Sequence, residues 1–511
     1  MSRAISEKQE NILANAPSSY DGVKAVTSVV VSGNTTPTDN PVMDIDPLAE
    51  RRLRRKIDLF IVPIVALLYL FCFLDRANIG NARLAGLEKD LHMRGNDYNA
   101  VTSVFYVSYV LFGLPSMVAC KWIGPGWYLP TITLCFGLVS LSTAFVQNRA
   151  QAFAVRFLLG LCESGLMPGI AYYLTRWYRR RELAFRLALY VVMAPLSGAF
   201  GGLLASAILH LRPVGSLNAP WRLLFAFEGS LTVGVGLVAL ATLTDRPATA
   251  RWLTPAQRRL AAARIHVDKL DQLDRLNRTL LWRGISCPVT VTTAAILFCS
   301  NITVSGLGFF LPTIIRTIFP EKPTTMQQLY TVPPYAVGAL ATILISLWSD
   351  RIDRRQVFML ASAVPVIAGY IIFLGTSPDD ASARYVATFL ISGAAFVMGT
   401  LTNAQISANV ISDTARSSAL ATNVVLGGLG GIVSTWSFLE SDAPMYRIGN
   451  SINLAASIGI LVLSALVLLF MNTSNRQRDS RNAAKLTALE GLSEQELQAL
   501  DWKHPSFRWR S

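Results

Sequence analysis

Charge is scarce in this chain. Of its 511 residues, 46 are Lys or Arg and 32 are Asp or Glu, 15% together, where an ordinary soluble protein carries roughly 25%. With 52% hydrophobic residues, the chain holds more apolar surface than one water-soluble core of its size can bury, which marks it as a membrane protein. The net charge of +14 does not point to nucleic acid, because most basic residues flank apolar runs instead of lining a soluble face. Cysteine is sparse as well: Cys72, Cys120, Cys135, Cys162, Cys287 and Cys299 lie in or beside apolar segments without paired loop spacing, so no disulfide framework or zinc site is implied. The four histidines, His92, His210, His266 and His504, are dispersed, and no Ser or Cys has an evident base. The pattern G-x-x-x-x-G-K-[ST] is missing, which excludes ATP as the energy source by that route. An enzyme is not expected, nor a metal or organic cofactor. No apolar run lies near the start, so a cleavable signal peptide is not expected.

What the chain does have is long apolar runs. A helix crosses the hydrocarbon core with about 20 mostly apolar residues, because every backbone polar group must be satisfied within the segment. Twelve stretches qualify: 57–76, 98–119, 126–146, 152–174, 187–209, 221–243, 287–312, 329–349, 356–375, 384–406, 415–438 and 451–471. The long connection 244–286 divides them six and six, the layout of two repeats. The expected architecture is an all-α membrane protein of two six-helix bundles, 57–243 and 287–471, with a disordered N-tail 1–56, a linker 244–286 and a C-tail 472–511. In the linker, Thr254-Pro255-Ala256-Gln257 offers a capping hydroxyl, Pro at the first helical position and a Gln reaching back, which starts a short basic helix lying on the membrane surface. Placing both termini in the cytosol puts most Lys and Arg on cytosolic segments, the usual asymmetry.

Ionisable residues inside a span cost at least about 2.5 kcal/mol each on insertion scales, so those that persist line a wet cavity or pair with one another. The first span ends in Phe73-Leu74-Asp75-Arg76, and the fourth reads RFLLGLCESGLMPG, with Arg156 and Glu163 seven apart and so on one helix face. Topology puts Asp75, Arg76 and Arg156 in the outer half of the membrane and Glu163 near its middle, so the four could surround one cavity. For Asp75 two readings stand: the helix stops there and the residue caps it, or ANIGNARLAGL continues it. Guanidinium groups in a low-dielectric cavity predict an anionic substrate, and carboxylates beside them can exchange a proton as substrate comes and goes. Structural ion pairing between the two spans is the alternative. In the second half Asn301, Asn403, Gln405, Asn409 and Asn423 are candidates either for reading the substrate or for bonding a neighbouring helix. The small-residue runs APLSGAFGG and GGLGG are read as close helix packing.

Motifs then suggest a family. The loop SLWSDRIDRR resembles the G-x-x-x-D-R-x-G-R-R pattern of the major facilitator superfamily at Asp350, Arg351, Arg354 and Arg355, with Ser346 and Asp353 in place of glycines. That resemblance implies a cytosolic charge latch, with Asp413 and Arg416 as partners and Glu182 and Arg186 repeating them in the first half. LDRANIGNA and R-x-x-x-G-x-x-E, from Arg156 to Glu163, are similar to the anion:cation symporters of that superfamily. PWRLLFAFEGSLTV, TDRPATARWLTPAQR and a tail ending FRW resemble its fungal allantoate-permease branch, which includes nicotinate and pantothenate carriers. The resemblance implies that Asp75 and Glu163 are protonation sites, that Arg76 and Arg156 handle a substrate carboxylate, and that Tyr109 contacts substrate. The expected function is proton-coupled uptake of a small organic anion across a plasma membrane by a monomer, driven by the proton gradient. The rivals are export of an acidic metabolite and a nutrient sensor that does not translocate.

Overall fold

A computed structural model of the protein describes residues 47–179, 182, 186, 189–211, 219–270, 278–410, 412–487, 502 and 507–510; in residue 114 and at several segment edges, among them 266–270, 413 and 414, it describes the backbone alone. The described residues contain helices and no strand. The first six spans are α1 (Pro47–Leu84), α2 (Asp97–Ile123), α3 (Pro125–Thr143), α4 (Arg149–Thr175), α5 (Leu189–Ile208) and α6 (Pro220–Thr242). The second six are α7 (Pro288–Ile318), α8 (Thr324–Ile352), α9 (Arg355–Gly375), α10 (Ala381–Asn409), α11 (Asp413–Thr435) and α12 (Arg447–Thr487). Ten helices are long and apolar enough to cross a bilayer, eleven when α2, bent at Pro115, is taken as one span. The twelfth is α3, whose first turns carry Pro125, Gly126 and Pro130.

Each helix satisfies its own backbone, so side chains are free to face either lipid or protein. Leu59, Leu111, Val118, Leu237, Ile371 and Leu469 are exposed on the flanks, as expected of lipid-facing positions. Small residues fall where helices approach closely. Gly160 of α4 lies against the Phe105 carbonyl and Ser108 of α2, leaving no room for a Cβ. That contact sets α2 and α4 side by side directly above Glu163.

Three boundaries differ from the sequence reading. The helix expected over 57–76 starts ten residues earlier and continues to Leu84, because the amphipathic segment after Arg76 packs its apolar positions inward; Ile79 and Ala82 are buried. Asp75 is therefore within the helix and not its cap. The last helix, expected to end at 471, runs on to Thr487, since SNRQRDSRN contains no breaker. The fourth span of each half is interrupted at mid-length: α4 after Glu163, resuming at Leu166, and α10 at Phe396. Pro168, which cannot donate to the Ser164 carbonyl, accounts for the first break, whereas no Pro lies in α10.

The halves α1–α6 and α7–α12 meet through α2 against α11 and α5 against α8. Their joining hydrogen bonds lie toward the end of the bundle remote from the first turns of α1 and the last of α12, called distal below. There Asn99 Nδ2 donates to the Thr435 and Phe438 carbonyls at 2.6 and 3.3 Å, and the Ser103 and Thr435 hydroxyls are 2.6 Å apart. Tyr98 donates to the Phe309 carbonyl, Tyr106 to Ser305, and Gln328 to the Asn81 carbonyl. Gly80 presses on the Phe309 carbonyl, which a Cβ would meet at 2.6 Å. Among the described residues no ion pair joins one half to the other.

The linker splits between the halves. Thr254 and Gln257 form the reciprocal cap that opens helix Pro255–Leu270. This helix docks on the first half: Trp252, just before it, stacks between Phe60 and Trp177, Lys56 donates to Gln257, and Arg264 is buried against Glu182. The second linker helix, Arg278–Ile285, docks on α11, where Gly284 touches the Ala415 carbonyl and Ser418 donates to Leu281. The expected N-tail up to residue 46 and linker residues 271–277 lie outside the described residues.

Candidate functional site

The chemistry of the first half gathers around α1. Arg76 Nε donates to Glu163 Oε2 of α4 at 2.7 Å, and Cys72, one turn earlier, reaches the same oxygen at 3.2 Å. The guanidinium lies over three rings, Tyr109 at 4.7 Å, Phe73 at 4.9 Å and Phe105 at 5.2 Å. Each such face adds roughly 0.5–2 kcal/mol of attraction for a cation, more when desolvated. Arg76 keeps 13% of its side-chain surface exposed while Glu163 has none, so the arginine is the exposed side of the pair.

Asp75 turns the other way. Adjacent residues on a helix point about 100° apart, and Asp75 accepts a 2.6 Å hydrogen bond from Ser140 of α3. Its neighbours in charge are Glu163, Arg156 and Arg76. Arg156, 4% exposed, rests on the Phe225 ring of α6 at 5.7 Å, and its Nη2 has no hydrogen-bond partner. The four expected charges lie in one region of the first half, Asp75, Arg156 and Glu163 buried and Arg76 nearly so. Arg76 and Glu163 form a node on the α2–α4 side. Asp75 and Arg156 are buried beside that pair, toward α3 and α6.

Glu228 of α6 is a further buried carboxylate in the first half and was not among the expected site residues. It is 2% exposed, neither carboxyl oxygen has a partner, and Asp75 is the charge that acts on it. The signal was available: a carboxylate inside the apolar run FAFEGSLTV meets the same intramembrane criterion that singled out Asp75 and Glu163. Ser140, Cys72 and Phe105 carry no comparable signal, because Ser, Cys and Phe are ordinary within membrane helices.

In the second half the polar candidates separate. Asn301 donates to the Gly427 carbonyl, tying α7 to α11, and Asn423 donates to Asn403 at 2.9 Å. Asn409 is not positioned for a substrate. Its Nδ2 donates to the Arg510 carbonyl and its Oδ1 accepts from the Arg510 amide, while Gln405 donates to the same carbonyl at 2.7 Å. These two residues form a docking point for the end of the chain, where Phe507 and Trp509 pack with Cys287, Val289, Val467 and Met471.

The latch residues are also differently paired than expected. Asp350, half exposed, lies 3.7 Å from Arg355, whose other partner is Asp353 at 2.7 Å; the loop closes on itself, and Arg351 and Arg354 are exposed on it. Arg416 donates to the Val410 carbonyl, and the Asp413 side chain lies outside the described residues. Glu182 takes both contacts of Arg264 at 2.8 Å, with Arg54 at 3.5 Å, and Arg186 forks onto Asp58 at 2.7 and 2.6 Å. These pairs bind the linker helix to the first half and α1 to the segment after α4, because those are the carboxylates and cations within reach in this arrangement. Burial lowers and the Asp58 partnership raises the proton affinity of Arg186, and the balance is upward.

Comparison with known proteins agrees with this architecture. Residues 65–435 match the family model Major Facilitator Superfamily. An uncharacterised transporter of Schizosaccharomyces pombe is 32% identical over 468 residues, covering 91% of each chain. The high-affinity nicotinic acid transporter of Saccharomyces cerevisiae is 31% identical over 445 residues, covering 87% of this chain and 82% of its own. Among solved structures, a D-xylose–proton symporter superposes with a TM-score of 0.60 at 14% identity, covering 79% of this chain and 97% of its own. A bacterial homologue of the human lysosomal transporter Spinster, in an inward-facing state, gives 0.58 at 13%, covering 83% and 97%; at such identities the likeness concerns the fold. Twelve helices in two halves, a match across most of the membrane portion and relatives of similar length agree: the chain belongs to the major facilitator superfamily, as a multi-pass membrane transporter.

Proposed function

We propose that the protein is a proton-coupled symporter that takes up a small organic anion, a carboxylate of the nicotinate, allantoate or pantothenate kind, by alternating access across the plasma membrane. The carrying observation is Arg76: a partly exposed guanidinium among three aromatic rings, ion-paired to the buried Glu163. A flat carboxylate suits that cage, its anionic end on the fork and its ring against Tyr109 or Phe105. Arriving there, it competes with Glu163 for the guanidinium, and a displaced buried carboxylate is stabilised by taking a proton. That exchange couples one proton to one anion, with no cofactor beyond the proton gradient. The name of the Saccharomyces relative supports nicotinate as the first probe. Both termini lie in the cytosol in this reading, and the carrier acts as a monomer.

Purified protein in liposomes, given labelled nicotinate and an imposed pH gradient, tests the reading. Uptake is expected to rise as the outer compartment is acidified and to be competed by other monocarboxylates. Carboxylate uptake indifferent to the gradient defeats proton coupling, and a panel with no carboxylate flux at all defeats the transport assignment.

A further inference from the structure

The first turns of α1 carry more cations than the transport reading uses. Arg51, Arg52 and Arg55 are exposed there, and so is Arg251 of the linker. Among the described residues none of the four forms an ion pair, because the acids of this region are taken by other cations: Asp58 by Arg186, Glu182 by Arg264 and Arg54, and Asp245 by Arg176 and Arg246. Glu50, half-buried at the start of the helix, offsets one charge at most.

Helix geometry places these cations at a membrane edge. Residues four apart stand one above the other, about 5–6 Å apart, so Arg51, Arg55 and Leu59 form one stripe that Pro63 and Leu67 continue. Leu59 is 73% exposed, and Pro63 and Leu67 are exposed as well, a face suited to acyl chains. Arg55 therefore stands one turn beyond the end of the apolar stripe, at the level of lipid headgroups. Arg52 shares its face with Lys56, which donates to Gln257 of the linker helix at 3.0 Å. Trp252 stacks on Phe60 at 4.7 Å, which brings Arg251, its neighbour in the chain, to the same flank of α1. Two segments far apart in sequence thus gather unpaired guanidiniums beside one lipid-facing stripe.

We propose that this edge of α1 and the linker is a binding site for a phospholipid whose headgroup carries more than one phosphate, drawn from the leaflet next to the first turns of α1. Guanidinium forks match phosphate oxygens two at a time, and a polybasic segment beside a membrane helix attracts anionic lipid more strongly with each added cation. A headgroup with a single charge answers one fork and leaves the others unmatched, whereas several phosphates answer several. The acyl chains lie along Leu59, Pro63 and Leu67, which favours the lipid over a soluble phosphate of the same charge. Held by Arg55 and Arg251 together, the headgroup bridges α1 and the linker. The site is independent of the symport reading.

The test is native mass spectrometry of the full-length protein in detergent, titrated with phosphatidylinositol bisphosphate, with phosphatidylserine at equal charge, and with soluble inositol trisphosphate. One tightly held phosphatidylinositol bisphosphate is expected, with an affinity that falls as salt is raised. Arg51→Gln, Arg55→Gln and Arg251→Gln combined are expected to weaken it about a hundredfold, and Arg55→Gln alone about fivefold. Lys322→Gln, at an exposed position beyond the distal end of α7, is expected to leave it unchanged. The replaced side chains are exposed and unpaired, so the melting midpoint is expected to match the wild type; the single replacement carries the same test if the triple variant melts early. Phosphatidylserine bound as tightly at equal charge overturns the multiply phosphorylated headgroup. Inositol trisphosphate bound as tightly as the lipid overturns the membrane source. Variants that keep the wild-type affinity overturn the site.

Discussion

At the residue scale, the difference between the two arginines is one of position. Arg76 is held by a carboxylate and rings with 13% of its side-chain surface exposed, whereas Arg156 rests on Phe225 and is 4% exposed. Arg76→Lys is expected to behave almost as badly as Arg76→Gln, with nicotinate uptake down at least about tenfold at normal surface abundance, since an ammonium cannot fork onto a carboxylate while lying flat on Tyr109. Uptake that survives in the lysine variant would count against the cage. Removing one member of a buried ion pair costs about 3–5 kcal/mol when the other charge is left behind. Glu163→Gln should therefore lower thermal stability as well as abolish the response of uptake to outside pH, and Glu163→Gln combined with Arg76→Gln should recover the stability but not the transport. A melting series on the purified variants separates the two effects.

At the element scale, the distal seal and the docked tail make separate predictions. The approach of α1 to α7 depends on the missing side chain at Gly80, where a Cβ would lie 2.6 Å from the Phe309 carbonyl. Gly80→Val should hold that end apart, leaving expression intact, abolishing net uptake and making a cysteine placed at Asn99 reactive to an impermeant reagent. An unreactive cysteine there would show that the helices adjust instead. The chain end is held by Asn409, Gln405, Asn475 and Arg478, with Trp509 between Phe470 and Phe507. Trp509→Ala leaves a cavity over Met471 and is expected to cost roughly 3 kcal/mol of stability, read as a lower melting midpoint, without changing which anions compete.

For the whole molecule, the two halves are joined by hydrogen bonds near one end, and the proposed alternating access requires that these break. Cysteines replacing Ser103 and Thr435, whose hydroxyls are 2.6 Å apart, should oxidise to a bond that stops net uptake until a reductant is added, whereas either single replacement should remain active. Uptake that continues in the oxidised pair would mean that the seal does not open during the cycle. Twelve helices in two sixes were legible from the residues because lipid imposes its own length and polarity on every span, whatever its neighbours. The Asp75, Arg76, Arg156 and Glu163 set was legible for the same reason, charge being costly in that setting. Which charges face each other was not legible: Asp75 turning to Ser140 while Arg76 turns to Glu163 depends on how α1 is rotated against α3 and α4. Nor was the capture of Asn409 by Arg510, a contact between residues a hundred positions apart that no local pattern encodes. Composition and periodicity thus determined what must lie in the membrane, since burial in lipid is decided segment by segment. Only the tertiary packing decided partners, because an ion pair depends on distances that no single helix contains.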